Sequence, residues 1–407
     1  MRIQLWSYNY DPEPQGIAPL STMLAKALRD RGHVVQVVAA HPHYPDPVWG
    51  RRLRPYRERR DGIEILRVPL WAGRDSGLER LRQELTFTMA QSLVTPLLPV
   101  ADVLVATSPS LPALAPAMAM ARARRMPWVM WLQDIVTDAA ATTGLLGGRV
   151  LAAAQRFERA TYASASRIVV ISGAFRSDLL SKGVAEEKIV RILNPSTRDP
   201  TARNQVAASP EAPPRILAMG NIGHSQALDR IVDAFQLDSS LAELGARLVI
   251  AGTGVAAEEV RKRVGSGRVE MRGVLYGEEL EPDLRAASLG LVSQRADVLE
   301  FNLPSKLMNY MAYGLPVIAS VRLGSETARI VEESGAGWVT DARHPAQFAS
   351  KAAELLQDPV SLDRASKAGF EYARAHFAPT SVAERFEAVL EEVAPATAAG
   401  WRSGSLS

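Results

Sequence analysis

Short apolar strands alternate with helices along almost the whole chain, and the alternation runs twice. In the first half, IQLWS, VVQVVAA, IEILRV, DVLVAT, WVMWLQ, RIVVIS and VRILN recur up to residue 194. Helical stretches fill most intervals, for example 17–31, which stops at Gly32. PSTRDPTARNQVAASPEAPP (195–214) then loses all apolar periodicity, which reads as a linker. The alternation restarts with RILAMGN, RLVIAG, RVEMRG, LGLVSQ, PVIAS and GWVT. Strands that are apolar throughout are buried on both faces, and the helices between them supply the cover. The predicted fold is therefore α/β, with two doubly wound parallel-sheet domains facing a cleft. The expected divisions are 1–194, a linker at 195–214, a second domain at 215–375, a C-terminal helix at 376–395 packing back on the first domain, and a disordered tail at 396–407. In open α/β sheets, ligands bind at the carboxyl ends of strands, which directs the search for chemistry to the loops there.

Composition removes several classes of function. The 407 residues suit two domains of ordinary size. With no cysteine, disulfides, thiolate chemistry and cysteine-based metal sites are excluded. The start, MRIQLWSYNYDPEP, lacks the apolar core of a signal peptide, and no apolar run is long enough to span a membrane. A cytoplasmic location is expected. A net charge of +3 does not by itself imply nucleic acid. The charge is uneven, however. RRLRPYRERR (51–60) holds six Arg against one Glu, and Arg122, Arg124 and Arg125 form a second knot. Such clusters suit anionic headgroups or phosphates, and equally a solvated face. The run 51–60 beside LTFTMAQSLVTPLLPV (85–100) raises peripheral contact with an anionic inner-membrane face, although 85–95 would read the same as a core helix.

Four stretches could carry chemistry. In FNLPSKLMNYMAYGLPVIAS (301–320), Pro304 and Ser305 are good helix starters. With Ser305 as N-cap, the first-turn amides and Lys306 make a seat for an anion, although an ordinary capped helix with a surface lysine would look the same. Gly314 suits the helix end and Pro316 blocks its continuation. In AMGNIGHSQALDRIVDAF (218–235), Gly220, Asn221 and Gly223 allow backbone amides close to a diphosphate, although a plain strand–helix turn would look the same. In SYNYDPEPQGIA, Gly16 plays a comparable part ahead of a long helix. In WLQDIVTD, Asp134 stands at the carboxyl end of a strand, as a functional acid or a helix-capping one. No two Asp stand at i, i+2, and AHPHYP (40–45), the nearest histidine cluster, lacks partner ligands, so no metal site is expected.

The order of these motifs resembles the GT-B, family-4-like nucleotide-sugar glycosyltransferases, and within them the colanic-acid and capsule-type fucosyl or N-acetylfucosaminyl transferases. The matching pieces are NYDPEPQGIA with LAKALRDRGHVVQVVAAHPHYP, ATSPSLPALA, WLQDIVTD, GNIGHSQALD, LVIAGTG, and LPSKLMNYMAYGLPVIAS with GSETARIVEESGAG. They span about residues 1–390. The resemblance implies a retaining transfer without a metal or cofactor, from a nucleoside-diphosphate sugar, UDP being favoured over GDP. The implied acceptor is a glycan, polyprenyl-diphosphate-linked at the inner membrane face. Gly16, Asn221, Gly223, Ser305, Lys306, Asn309, Gly324, Ser325 and Glu326 would bind the donor. Lys306 would stabilise the departing diphosphate and Asp134 would face sugar and acceptor. Many family-4 enzymes carry two glutamates eight residues apart, here Phe301 and Asn309, and a histidine where Gln133 stands. The colanic-acid-type branch shows the same PSKLxN and QD pattern. A sugar-nucleotide epimerase of the same fold and a catalytically silent binding subunit are the competing readings.

Overall fold

A computed structural model describes residues 1–14, 16–44, 53–73, 77–108, 110–135, 148–196, 200, 212–265, 267–275, 279–298 and 303–394. Most of the linker and the tail from residue 395, both singled out in the sequence, lie outside the described residues. The chain divides into two compact units, Met1–Asn194 with the chain from Val382 onward, and Pro195–Ser381.

The first unit holds an eight-stranded sheet. Its strands are β1 (Arg2–Ser7), β2 (Val34–Ala40), β3 (Tyr56–Arg60), β4 (Ile63–Val68), β5 (Val103–Thr107), β6 (Trp128–Leu132), β7 (Arg167–Val170) and β8 (Ile189–Arg191). Their order is β3-β4-β2-β1-β5-β6-β7-β8. All neighbours pair parallel except β3, which runs antiparallel to β4. The purely parallel sheet expected from the sequence is corrected there. The end of the basic run, Tyr56–Arg60, is an edge strand, turned by Asp61 and Gly62, both at positive φ (48° and 75°). Its arginines protect an exposed sheet edge from pairing with other chains. Arg60 is also partly neutralised, by Asp11 at 3.1 Å and Glu58 at 3.3 Å. The helix Pro379–Val393 returns Val382, Ala383, Phe386, Val389 and Leu390 to this unit's core, where the Phe386 and Trp131 rings meet edge to face at 5.0 Å. Its Glu387 binds Arg31 at 2.5 Å and His33 at 2.9 Å.

The second unit is an all-parallel six-stranded sheet of β9 (Arg215–Met219), β10 (Arg247–Ala251), β11 (Val269–Arg272), β12 (Leu289–Ser293), β13 (Val317–Val321) and β14 (Gly337–Asp341). Its order, β11-β10-β9-β12-β13-β14, is the doubly wound arrangement that reverses direction between β9 and β12. At this reversal the ladder is short, with only Ile216 opposite Leu289 and Leu217 opposite Gly290. Tyr310, fully buried on the helix Ser305–Tyr313, fills the gap. Its hydroxyl donates to Leu217 O at 2.9 Å and accepts from the Met219 amide at 3.0 Å. Burial holds the phenol far above its ordinary pKa, so it stays a proton donor. The ring lies over Gly290, where a β-carbon would come within 2.6 Å of it. Among the described residues, no helix is long and apolar enough to cross a membrane.

Replacing Tyr310 with Phe keeps the ring but leaves Met219 N–H and Leu217 C=O buried without that partner. Urea unfolding of the second unit should show a loss of about 1–3 kcal/mol. An unchanged midpoint would mean that the hydroxyl does not carry the reversal.

Candidate functional site

The sheet reversal of the second unit gathers three loops. The first, Gly220 to Gln226, leaves β9. Two glycines in the loop after β10 set its position. A β-carbon on Gly252 would lie 1.9 Å from Gly220 O, and one on Gly254 would lie 2.4 Å from Ile222 O and 2.5 Å from Asn221 Oδ1. Only glycine permits that approach. The two loops are then laced together by Gly220 N–H to Ala251 O (2.9 Å), Ile222 N–H to Thr253 O (2.8 Å) and Ala256 N–H to Ile222 O (2.9 Å). From the other side, the Ser293 hydroxyl donates to Gln226 O at 2.5 Å and the Arg295 amide to Ser225 O at 2.8 Å. Gly223 N–H donates to Gln226 Oε1 at 2.9 Å. Asn221 and Gly223 therefore sit on a loop clamped by β10 and β12.

The third element is the helix Ser305–Tyr313, which follows β12. The structure shifts its cap by one residue. Pro304 is the N-cap and Ser305 the first helical residue. Proline brings no side-chain oxygen and no amide, so the helix starts without a side-chain cap. The reason lies in the extended backbone of Pro304 (φ −61°, ψ 126°), which turns into the helix only after it. Leu307 N–H already bonds Pro304 O at 3.0 Å. The amides of Ser305 and Lys306 remain as the positive end of the helix dipole. The helix stops where the sequence predicted, at left-handed Gly314 (φ 71°), and β13 begins at Val317.

Lys306 leans toward the β9 loop. A β-carbon on Gly220, itself at φ +102°, would lie 3.9 Å from Lys306 Cε. Among the described residues no carboxylate pairs with its ammonium. Part of the residue is open to solvent, yet protein atoms crowd it, and desolvation pushes its pKa down to about 8. Asn309, half-buried, lies one turn further along the same helix. Gly324, Ser325 and Glu326 follow β13. Gly324 is left-handed (φ +74°) and Ser325 caps the next helix by accepting from Ala328 N at 3.2 Å. Glu326 is buried and bound by Arg329 at 2.9 Å. So seven of the eight second-unit candidates fall in loops or helix starts after β9, β12 and β13, and Asn309 lies midway along the helix Ser305–Tyr313.

Gly16 and Asp134 belong to the first unit. Gly16 is exposed and left-handed (φ +67°) after β1. A residue without an assigned role, Glu13, holds that loop. Its buried carboxylate accepts from Asn9 Nδ2 (3.0 and 3.1 Å), Tyr10 N (3.3 Å), His43 N (2.9 Å) and Tyr44 N (2.8 Å). AHPHYP thus serves to supply amides to Glu13. Asp134 follows β6, its carboxyl raised by desolvation against the opposing hydrogen bond from the Ile135 amide, although solvent reaches the side chain. Beside it, Gln133 and Asn194 exchange two amide hydrogen bonds of 2.9 Å. Phe301, at the first position of the family's glutamate pair, lies outside the described residues.

Two family models match the chain, one described as a glycosyl transferase 4-like domain over residues 15–195 and one as glycosyl transferases group 1 over residues 213–358. Escherichia coli K12 WcaI, a putative colanic acid biosynthesis glycosyl transferase, is 26% identical over 356 residues, 82% of this chain and 86% of its own. Among solved structures, Anabaena Alr3699/HepE in complex with UDP superposes with a TM-score of 0.66 at 14% identity, covering 96% of this chain and 100% of its own. Sucrose-phosphate synthase from Thermosynechococcus elongatus gives 0.67 at 16%, covering 96% and 98%. At that identity the two structures establish the fold.

The depressed lysine carries a signed consequence for the ligand-free chain. Below pH 8 its ammonium is charged and its burial opposes folding. Between about pH 8 and its ordinary 10.5 the unfolded chain binds the extra proton, so this penalty fades as pH rises. Lys306→Met should therefore stabilise the empty protein at pH 7 by about 1–3 kcal/mol, with residual solvation keeping the gain well below full burial. Melting curves at pH 7 and 10 should show the gap to wild type closing. A gap independent of pH would contradict the shifted lysine.

Proposed function

The chain belongs to the family-4-like glycosyltransferases of the GT-B fold, and on that premise we propose that it moves a sugar from a nucleoside-diphosphate donor to a hydroxyl of a glycan in surface polysaccharide synthesis. The observation that carries the donor assignment is the Lys306 ammonium. It is desolvated and beside Gly220, on a helix start with no side-chain cap, at the reversal of the second sheet. That arrangement offers a fixed positive field to a diphosphate and needs little rearrangement to do so. UDP is the favoured nucleotide, a reading supported by the UDP complex of the HepE structure. The acceptor class is supported by the colanic acid role in WcaI's name, and a polyprenyl-diphosphate-linked glycan is the form we assign to it.

The transfer retains anomeric configuration and uses no metal. The acceptor oxygen approaches the anomeric carbon on the face from which the diphosphate departs. The new C–O bond forms as the sugar–phosphate bond breaks, and the electron pair leaves with the nucleoside diphosphate. Lys306 and the amides of Ser305 and Lys306 stabilise that charge. Asn221 and Gly223 hold the donor by their backbone and amide groups, with Asn309, Gly324, Ser325 and Glu326 around nucleotide and sugar. The acceptor's proton passes to the departing phosphate or to Asp134, whose raised pKa suits a base.

Thermal denaturation with UDP, GDP, ADP and dTDP, with and without EDTA, tests the donor site. One nucleotide at 100 times its dissociation constant should stabilise by roughly 2.7 kcal/mol, unaffected by EDTA. Loss of the shift in EDTA would refute metal independence. Lys306→Ala should fold and lose about 100-fold or more in turnover, as when one oxyanion donor is removed. Diphosphate binding should also draw a proton onto Lys306 above pH 8, so affinity should fall with rising pH by at most about tenfold per unit. Calorimetry in buffers of different ionisation enthalpy reads that proton directly, and no uptake at pH 9 would remove Lys306 from the phosphate site.

A further inference from the structure

The helix Gly77–Val94 is built inside out. Its inward face includes two glutamines, Gln83 and Gln91, both at most 3% exposed, beside Phe87 and Val94. Gln83 is held by the Tyr8 hydroxyl at 2.8 Å and the Gly73 amide at 2.9 Å. The outward face carries the aliphatic residues. Leu81, Leu85, Met89, Leu93, Leu97 and Val100 are each between 47% and 78% exposed. The first four recur at intervals of four, which sets them in one row along the helix, and the last two continue through the short helix Thr95–Leu97 and beyond. Among the exposed positions from Leu81 to Val100 there is one charged residue, Arg82, and no carboxylate. Scattered exposed leucines are ordinary on a soluble surface, but a row of six is not.

The charges at the two ends of the row decide the partner. At the start, Arg82 lies over the Trp71 ring at 4.9 Å, and Trp71 is itself 43% exposed. At the far end, the helix Leu114–Arg124 terminates in the basic knot of Arg122, Arg124 and Arg125. Arg124 donates to the carbonyls of Pro96 at 3.3 Å and Pro99 at 3.1 Å, which places the knot against the end of the row. Arg122 and Arg125 are exposed. An apolar row without carboxylates, bounded by a tryptophan–arginine pair and an arginine knot, matches a bilayer with anionic headgroups. A second copy of the chain would bring the same arginines together.

We propose that the row Leu81–Val100 docks the first unit on an anionic lipid surface, the aliphatic side chains entering the headgroup boundary and the arginines at its ends meeting phosphates. The row belongs to the first unit and the diphosphate seat to the second, and the proposal stands whatever nucleotide the second unit takes. Vesicle flotation of the full chain tests it, with phosphatidylcholine alone and with added phosphatidylglycerol. The chain should float with the anionic vesicles at least about tenfold more than with the neutral ones, and less so in raised salt. Met89→Glu with Leu93→Glu changes two exposed positions and should abolish flotation, with the melting temperature unchanged. Arg122→Ser with Arg125→Ser should lose only the preference for anionic lipid. Absence of flotation with the anionic vesicles overturns the proposal, as does undiminished flotation of the glutamate variant. A concentration-dependent dimer in sedimentation, abolished by the same variant and without vesicle binding, would assign the row to a contact between copies instead.

Discussion

The second unit turns on one hydroxyl. Where this doubly wound sheet reverses direction, the β9–β12 ladder runs for only two residue pairs, and buried main-chain groups beyond it need other partners. Tyr310 answers Leu217 O and the Met219 amide at that place, and Gly290 leaves room for its ring. The consequence reaches the chemistry. Tyr310 and Lys306 stand four residues apart on one helix, so pinning the ring also fixes where the helix start and the ammonium lie. The same residue thus closes the core and aims the charge.

The seat so formed is unfavourable when empty. An ammonium with reduced hydration, a helix start without a side-chain cap and a loop held against glycines all cost stability that ordinary packing elsewhere must offset. The diphosphate we propose for it would supply what each lacks, bringing negative charge and acceptor oxygens to the same point. The rigid lacing of the Gly220–Gln226 loop means that little ordering is left for binding to impose. The first unit shows a related economy. A buried Glu13 gathers amides from two segments, and the loop that presents Gly16 is ordered by main-chain contacts rather than by apolar packing.

Much of this was legible in the sequence because strand burial and helix punctuation are local. Continuous apolar runs announced parallel strands, and Gly314 with Pro316 announced the end of the lysine-bearing helix. Its beginning was misplaced by one residue, because Pro304 and Ser305 are both acceptable starts and only the backbone angles choose between them. The strand β3 was hidden for a different reason. An arginine-rich edge strand has no apolar face to declare it, and the signal that could have found it was the Asp61–Gly62 pair at the hairpin turn.

The sequence by itself determined two α/β units, their apolar strands though not β3, and a family likeness residing in motifs spread over both. The roles of Tyr310, Gly252, Gly254 and Glu13 were decided only by the tertiary structure. Each depends on which segments become neighbours: β9 beside β12, the β9 loop against the β10 loop, residue 13 under residues 43 and 44. The outward row on the helix Gly77–Val94 is of the same kind. Apolar spacing on a helix reads alike whether it faces a core or solvent. Only the folded unit shows that the glutamines took the inside.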